Sequence, residues 1–214
     1  MLAIKAKHIP TSLSLLVFGA GGHGRVVADA ALLEGRWIAV FASDRDPLRC
    51  VGELLPGIAL IPGPAPTQPG WLTHVAIGSN HSREREAGLV GLDFLARIIH
   101  PDAVVSKFSH VATGCFVGAG AVVAPGANVG VGVVVNHGAI VDHDVHVGAF
   151  SHIAPNATLG GGASLGQRVL IGAGAVVLPG IVIGDDVTVG AGSAVPDHLP
   201  APGTYAGVPA RRIK

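Results

Sequence analysis

The chain has 214 residues and a formal net charge of zero, with 13% charged and 4% aromatic residues. Such a composition supplies neither the basic surface nor the stacking side chains of a nucleic-acid-binding protein. No apolar run reaches the roughly 18 residues that span a membrane, because glycine, proline, asparagine or a charge always interrupts. We therefore expect a globular cytoplasmic protein that binds neither nucleic acid nor membranes.

The first predicted elements are a strand, a glycine turn, a helix and a second strand, in "LSLLVFGAGGHGRVVADAALLEGRWIAVFASDRDP". The opening "MLAIKAKHIPTSLSLLVFGAGG" runs into the glycine turn rather than a cleavage site, so it is interpreted as a strand and not as a signal peptide. Gly19, Gly21 and Gly24 form a G-x-G-x-x-G motif, and Asp44 lies about 20 residues further on. This pattern favours a nucleotide at the strand ends. NAD is disfavoured, because the half-domain is too small for a full dinucleotide fold and no hydride-transfer residues follow.

A proline-rich stretch at residues 62–69 separates these elements from the rest of the N-terminal half. "WLTHVAIGSN" at 71–80 then predicts a strand and a turn, and "HSREREAGLVGLDFLA" at 81–96 predicts a helix. Strands alternating with helices indicate a small parallel sheet.

The C-terminal half has a period of six. Every sixth residue from Val105 to Val195 is aliphatic, over 16 consecutive positions, and the flanking residues are mostly small. A helix cannot use this period, because 3.6 residues per turn would scatter the positions around its axis. Short strands bent at regular corners can use it, with one aliphatic side chain per side in a shared core. Cys115 occupies an inward slot and is expected to be structural.

These features resemble the sialic acid and nucleotide-sugar acetyltransferases, a family of hexapeptide-repeat acyltransferases. The resemblance runs from about Leu15 to Pro209, and its most specific motifs are "GGHG" at 21–24, "VDHD" at 141–144, "FSH" at 150–152 and "GVPA" at 207–210.

The resemblance implies the architecture. It gives a small Rossmann-like α/β domain for nucleotide sugars over residues 1–98, a left-handed parallel β-helix over 99–198, and a C-terminal tail over 199–214. Handedness follows from the resemblance alone. With three hexads per coil, residues 18 apart stack at about 4.8 Å. Family members are homotrimers with active sites between neighbouring β-helices.

Four of the eleven histidines lie in "NHGAIVDHDVHVGAFSH", residues 136–152. His143 lies two residues after the inward Val141, near a corner and facing outward. By the resemblance it is the general base and Asp144 its orienting partner, and an imidazole suits proton removal near neutral pH. Neighbours in a strand point apart, so a corner conformation has to permit their contact. Gly161, one coil away, is expected to leave room for a ligand beside the ring.

Acetyl-CoA is the expected co-substrate. By the resemblance, His152 contacts its acetyl or thioester region, with packing at a trimer contact as the alternative. Ala173 and Ala191 are 18 residues apart and stack on one edge, and by the same resemblance they offer backbone contacts to the pantetheine arm. Asn136 matches a polar substrate-binding position, although asparagine also serves β-helix corners.

The nucleotide sugar is expected in the N-terminal half. Backbone N–H groups of Gly21, Gly22 and His23 open a helix, which suits a diphosphate. By the resemblance, Ser43 and Asp44 hold the base or ribose, and Gly78 lines the same cleft.

The sequence therefore predicts an acetyl-CoA-dependent N-acetyltransferase acting on a UDP- or GDP-linked 4-amino-4,6-dideoxy sugar, an activity that the family uses for surface polysaccharides. The main alternative is O-acetylation of a sialic acid or another sugar. A metal-dependent hydratase of the carbonic anhydrase type or a trimeric scaffold is a further alternative. No metal is expected, since His137 and His143 lie on successive sides about 20 Å apart, and only an intersubunit site brings such residues together.

Overall fold

The computed structural model describes residues 13–63 and 69–214. The first 12 residues of the opening segment and most of the proline-rich stretch lie outside the described residues. The N-terminal half contains β1 (Leu13–Phe18), α1 (Gly22–Glu34), β2 (Trp37–Ser43), β3 (Glu53–Leu55), β4 (Ile58–Ala59), β5 (Trp71–Val75) and α2 (Asn80–Val90).

Three of these strands form a parallel sheet in the order β2-β1-β5, as predicted. The central strand β1 is buried, with Leu15, Leu16 and Val17 fully inaccessible. A Cβ at Gly24 would overlap the carbonyl oxygen of Gly19, so the first turn of α1 packs directly against the end of β1. This contact explains the last glycine of the motif.

The predicted helix over 81–96 is wrong at its C-terminal end. The helix α2 ends at Val90, and Gly91 with φ +88° turns the chain into a 3-10 turn at Leu92–Phe94. Positive φ is readily available to glycine, so Gly91 ends the helix.

The C-terminal half is a β-solenoid of short strands, and the predicted left-handed parallel β-helix fold is confirmed. Its strands are β6 (Ile98–Ile99), β7 (Val104–Val105), β8 (His110–Val111), β9 (Phe116–Val117), β10 (Val122–Val123), β11 (Asn128–Val129), β12 (Val134–Val135), β13 (Ile140–Val141), β14 (His146–Val147), β15 (His152–Ile153), β16 (Thr158–Leu159), β17 (Ser164–Leu165), β18 (Leu170–Ile171), β19 (Val176–Val177), β20 (Val182–Ile183), β21 (Val187–Val189), β22 (Ala194–Val195), β23 (Gly203–Ala206) and β24 (Arg211–Arg212).

Residues 18 apart pair across neighbouring coils, as in Val122 with Ile140 and Ile140 with Thr158. The strands stack into three sheets, which are the faces of the solenoid. The covered face contains β6, β9, β12, β15, β18, β21, β23 and β24; the apolar face contains β7, β10, β13, β16, β19 and β22; the polar face contains β8, β11, β14, β17 and β20.

The aliphatic residues of the hexads fill the interior. Val123, Val141 and Val177 are completely buried, and Cys115 lies beside them with its thiol donating to the Gly130 carbonyl. Burial raises the pKa of the Cys115 thiol to about 12. The structural role predicted for this cysteine agrees with its placement.

The outward residues distinguish the three faces. The covered face packs against the N-terminal half, where Phe116 and Val134 join the core around α1. The polar face presents His110, Asn128 and His146. The apolar face presents mainly valine and isoleucine to solvent, from Val104 along to Ala194. Among the described residues, no helix combines the length and apolarity needed to cross a bilayer.

Candidate active site

His143 and Asp144 form a pair at the edge between the apolar and polar faces, which we call the second edge. Nδ1 of His143 lies 2.9 Å from Oδ2 of Asp144, and both side chains are exposed. Asp144 has φ +58°, and Gly126 and Gly162, one coil to either side, also have positive φ. This left-handed backbone at Asp144 lets neighbouring side chains meet, where extended residues would point apart. The corner therefore permits the contact that the sequence left open.

Two glycines make room for the pair. A Cβ at Gly161 would lie 2.5 Å from Cε1 of His143, and one at Gly126 would overlap the carboxylate of Asp144. The imidazole thus lies over Gly161, in the space that a side chain there would take, and the approach of a ligand beside the ring stays a prediction. The ring lies between Gly161 and the carboxylate of Asp144. Its Nδ1 is bonded to that carboxylate, so Nε2 is the nitrogen without a partner in this pair.

The hydrogen bond that Nδ1–H of His143 donates to Asp144 raises the pKa of His143 above its usual value of 6.5, and the charge of Asp142 adds to this. With Nδ1–H donated to the carboxylate, Nε2 is the nitrogen that accepts a proton. This arrangement suits a general base whose protonated form is stabilised by its partner.

His152 lies on the covered face in a different environment. Its Nε2 lies 3.1 Å from the side-chain nitrogen of Asn136, which donates a hydrogen bond to the ring. Asn136 lies at the edge between the covered and apolar faces, which we call the first edge. Burial and, to a smaller extent, the nearby charge of Arg83 lower the pKa of His152 to about 4, while the Gly78 carbonyl opposes the shift. His152 is therefore a neutral imidazole at physiological pH.

Ala173 and Ala191 are exposed on the first edge and stack on one another, since the backbone N–H of Gly192 donates to the Ala173 carbonyl. The two candidate groups thus occupy different edges of one solenoid: His143 with Asp144 on the second edge, and Asn136, Ala173 and Ala191 on the first. Both edges border the apolar face.

A cavity of about 310 Å³ lies at the carboxyl ends of β1 and β5, beside the start of α1. Gly21 provides no side-chain cap, so the first N–H groups of α1 face this N-terminal cavity. Its lining contains most of the residues predicted to bind the nucleotide sugar, namely Gly21, Gly22, His23, Asp44 and Gly78. A free helix N-terminus favours a phosphate.

Asp44 closes one wall of the N-terminal cavity. Its Oδ2 accepts from the backbone N–H of Ala20 at 2.8 Å and lies 3.4 Å from Nη1 of Arg49. Arg45 and Arg49 also line the cavity, and sequence reasoning missed both, because isolated arginines in a loop carry no pattern.

The structure places Ser43 outside the cavity lining. This residue is 1% exposed, and its hydroxyl donates to the Gly63 carbonyl at 3.1 Å. Ser43 ends β2 facing the interior, whereas Asp44 faces the cavity, because successive residues of a strand alternate sides. The expectation of a direct contact from Ser43 to the nucleotide therefore needs correction.

The imidazole of His23 points away from the cavity, towards the solenoid. It meets the ring of Phe116 edge-on at 5.3 Å, and burial together with His74 lowers its pKa to about 3. His74 is fully buried on β5, bonds the Ala96 carbonyl and has a pKa lowered by burial to about 4.

These buried imidazoles predict acid sensitivity. The usual pKa of histidine is 6.5, so below this pH the three imidazoles become protonated in the unfolded chain. In the folded protein His23, His74 and His152 stay neutral, because their pKa values are lowered. Each pH unit below the usual histidine pKa then costs about 1.4 kcal/mol of stability per histidine until the folded form also titrates. Thermal unfolding between about pH 7.5 and about pH 4.5 measures this slope.

His74→Phe, which keeps a ring beside Phe116, should make the slope shallower. His110→Gln is the control, because that imidazole is exposed on the polar face. Equal slopes for wild type and His74→Phe would contradict the expectation.

The described residues contain no group of three histidine, cysteine or acidic side chains arranged to hold a metal ion.

A solenoid of this kind joined to a small parallel-sheet domain defines a class of hexapeptide transferases, and both halves match family models. The bacterial transferase hexapeptide (six repeats) model matches residues 162–197, and the PglD N-terminal domain model matches residues 14–88. No curated protein sequence matches the chain.

Solved structures extend the match over nearly the whole chain. The acetyltransferase domain of PglB from Neisseria gonorrhoeae, in complex with acetyl coenzyme A, is 33% identical; the match covers 94% of this chain and 100% of that one, with a TM-score of 0.86. A variant of perosamine N-acetyltransferase from Caulobacter crescentus, in complex with CoA and GDP-perosamine, is also 33% identical, with coverage of 94% and 97% and a TM-score of 0.86.

WeeI from Acinetobacter baumannii, at 20% identity, coverage of 95% and 100%, and a TM-score of 0.59, shares the fold. The chain belongs to the sialic acid and nucleotide-sugar acetyltransferase family. The predicted family is thus confirmed, and with it the class of enzyme, a sugar acetyltransferase.

Proposed function

We propose that this protein transfers the acetyl group of acetyl-CoA to the amine of a UDP- or GDP-linked 4-amino-4,6-dideoxy sugar. The observation that carries the proposal is the His143–Asp144 pair, an exposed imidazole whose Nδ1 is held at 2.9 Å by a carboxylate. The similar structures from N. gonorrhoeae and C. crescentus contain acetyl-CoA, or CoA with GDP-perosamine, which supports both substrates.

The N-terminal cavity is the proposed site of the nucleotide. The N-terminus of α1 at Gly21, Gly22 and His23 faces the diphosphate, and Asp44 and Gly78 line the walls beside it. Arg45 and Arg49 supply positive charge at the same cavity. A diphosphate at a helix N-terminus needs this combination of free N–H groups and cations.

The apolar face supports a homotrimer. The outward side chains of Val104, Ile140 and Val176 are 64%, 38% and 39% exposed, and they lie in one stripe along the solenoid. A contiguous apolar stripe on a soluble protein marks an interface. In a cyclic assembly through this face, the second edge of one protomer lies beside the first edge of the next. His143 of one protomer would then meet Asn136, His152, Ala173 and Ala191 of its neighbour.

In the proposed reaction, the sugar amine attacks the thioester carbonyl carbon while Nε2 of His143 takes the amine proton. Asp144 stabilises the imidazolium as the tetrahedral intermediate forms. Collapse of the intermediate breaks the C–S bond and releases CoA thiolate, which is then protonated by the imidazolium. Ala173 and Ala191 offer backbone groups to the pantetheine arm, and His152, held by Asn136, lies at the acetyl end. No acyl-cysteine is involved, because Cys115 is buried in the core.

The Asp144→Asn variant tests the pair directly. Asparagine tolerates positive φ, so the corner is kept while the carboxylate is lost. Because Asp144 raises the pKa of His143, the variant should move the acidic limb of the kcat/KM profile to lower pH and lower its plateau by about tenfold or more. An unchanged limb would contradict the assignment of His143 as the titrating base.

The activity is tested by incubating the protein with acetyl-CoA and either a UDP- or GDP-linked 4-amino sugar or CMP-sialate. Mass spectrometry of the products distinguishes an amide from an ester, since hydroxylamine cleaves the ester readily. Acetylation of the amine supports the proposal, and exclusive acetylation of a sialate hydroxyl replaces it by the O-acetyltransferase alternative. Thermal shifts with each nucleotide sugar rank the ligands, because binding to the folded state raises its stability.

A further inference from the structure

Arg83, in the first turn of α2, is a buried arginine surrounded by neutral acceptors. Its side chain is among the largest fully buried ones, with 1% exposure. The five N–H groups of the guanidinium face six uncharged oxygens, with one N–H of Nη2 shared between two of them; these are the carbonyls of Gly132, Phe150, Ser151, Ile77 and Gly78 and the side-chain oxygen of Asn80.

The acceptors fall into two sets. One set lies in the solenoid on adjacent coils, and the carbonyl of Ser151 immediately precedes His152. The other set belongs to the loop of residues 77–80, between β5 and α2. The guanidinium thus joins this loop to the strand that carries His152.

The 77–80 loop lies between two cavities. Ile77 and Gly78 line the N-terminal cavity, and Gly78 also lines a second cavity of about 490 Å³ together with Asn80 and His152. The side-chain nitrogen of Asn80 in turn donates to the Arg168 carbonyl at 2.9 Å. A shift of this loop therefore changes both cavities at once.

A purely structural role is a poor explanation for this residue. A buried cation without a carboxylate is costly, and an apolar side chain of similar volume often serves packing equally well. The five N–H donors of arginine, in a fixed fork, can bind several carbonyls from two directions, which no apolar residue can do.

We propose that Arg83 is a positioning residue for acetyl transfer, fixing the 77–80 loop against His152 so that the two cavities keep one relative geometry. This proposal rests on the proposed function of the two cavities. Arg83 touches neither substrate; it acts through Gly78, Asn80 and the backbone beside His152.

The charge of Arg83 provides a second, independent readout. After burial, it is the next cause that lowers the pKa of His152. A neutral replacement removes that positive charge and should raise the titration midpoint of His152, whereas lysine should preserve most of the effect.

The experiment compares wild type with Arg83→Met, Arg83→Lys and a control, Arg97→Met. Arg97 also donates to a solenoid carbonyl, that of Val111, and touches neither the 77–80 loop nor His152. Steady-state kinetics should show kcat/KM reduced by about 10- to 100-fold in both Arg83 variants, with KM for the nucleotide sugar raised, and little change in Arg97→Met. Histidine NMR should show the His152 midpoint raised in Arg83→Met only, and hydrogen exchange should increase at residues 77–80 in both Arg83 variants.

Unchanged kinetics and loop exchange in Arg83→Lys would overturn the proposal. The proposal would also be overturned if the losses of kcat/KM in the Arg83 and Arg97 variants were proportional to their decreases in melting temperature. That result would indicate a general loss of stability. If Arg83→Met does not fold, Arg83→Lys carries the test alone through KM and hydrogen exchange. Absence of acetyl transfer by wild type would refute the proposed function, while NMR and hydrogen exchange would still test the position of the loop.

Discussion

Replacement of His143 by alanine is expected to lower kcat by about 10²- to 10⁴-fold, the range typical of a lost general base. The ring is exposed on the second edge, so its removal should leave the melting temperature and the oligomeric state unchanged. The KM values for acetyl-CoA and the nucleotide sugar should change little, because the proposed role is proton transfer in the transition state.

His146→Ala is the matched control for this prediction. His146 is an exposed histidine on the next strand, β14, and has no place in the proposed chemistry. Near-wild-type turnover in His143→Ala would refute its role as base. An equal loss of turnover in His143→Ala and His146→Ala would show that these exposed imidazoles affect stability or assembly rather than proton transfer.

Replacement of Gly161 by alanine is expected to reduce kcat/KM by about 100-fold without unfolding the protein. The added methyl group would lie 2.5 Å from Cε1 of His143, so the ring has to leave its position beside Asp144. The side chain that must move is exposed, so the displacement costs little stability but removes the geometry of the proposed base.

The neighbouring Gly162→Ala variant should behave in the opposite way. Gly162 has φ +68°, and a Cβ there meets no atom within 4 Å. Alanine at positive φ strains the backbone by roughly 1–2 kcal/mol but does not touch the ring. Kinetics and thermal melting of the two variants, measured together, check the contrast. Retained activity in Gly161→Ala would show that the ring position in the structure is not the one used for catalysis.

Both predictions depend on the conformation of one corner. The second edge carries glycine at positive φ in the coils on either side of Asp144, and among the described residues of this edge Asp144 alone brings a carboxylate to that conformation. The backbone strain of a non-glycine residue in this region is tolerated where it serves a purpose. Here it turns the carboxylate towards Nδ1 of His143.

Much of the fold could be predicted from the sequence. A period of six fixes which side chains enter the core, and the register of 18 residues follows from three sides per coil, as the pairing of Val122 with Ile140 shows. The glycine motif likewise predicts a strand, a turn and a helix, which the structure contains as β1 and α1. Helix ends are less predictable, as Gly91 shows, because a single glycine decides between two local conformations of similar energy.

The candidate site was only partly predictable. His143 and Asp144 could be placed on an outward corner, but their contact required the φ value of Asp144, which a periodicity does not contain. Ser43 was expected near the nucleotide and instead bonds the Gly63 carbonyl. Arg83 carries no sequence signal, since its acceptors are backbone carbonyls that any residues supply.

The sequence by itself determined the coil, its interior and the outward position of its histidines, because these depend on a repeating local pattern of size and polarity. Only the tertiary structure decided which residues from the two halves meet, such as Gly78 with His152 and Arg83 with Ser151. Contacts between distant segments depend on how two surfaces pack and on the conformation of single corners. Neither is encoded in the spacing of residues along the chain.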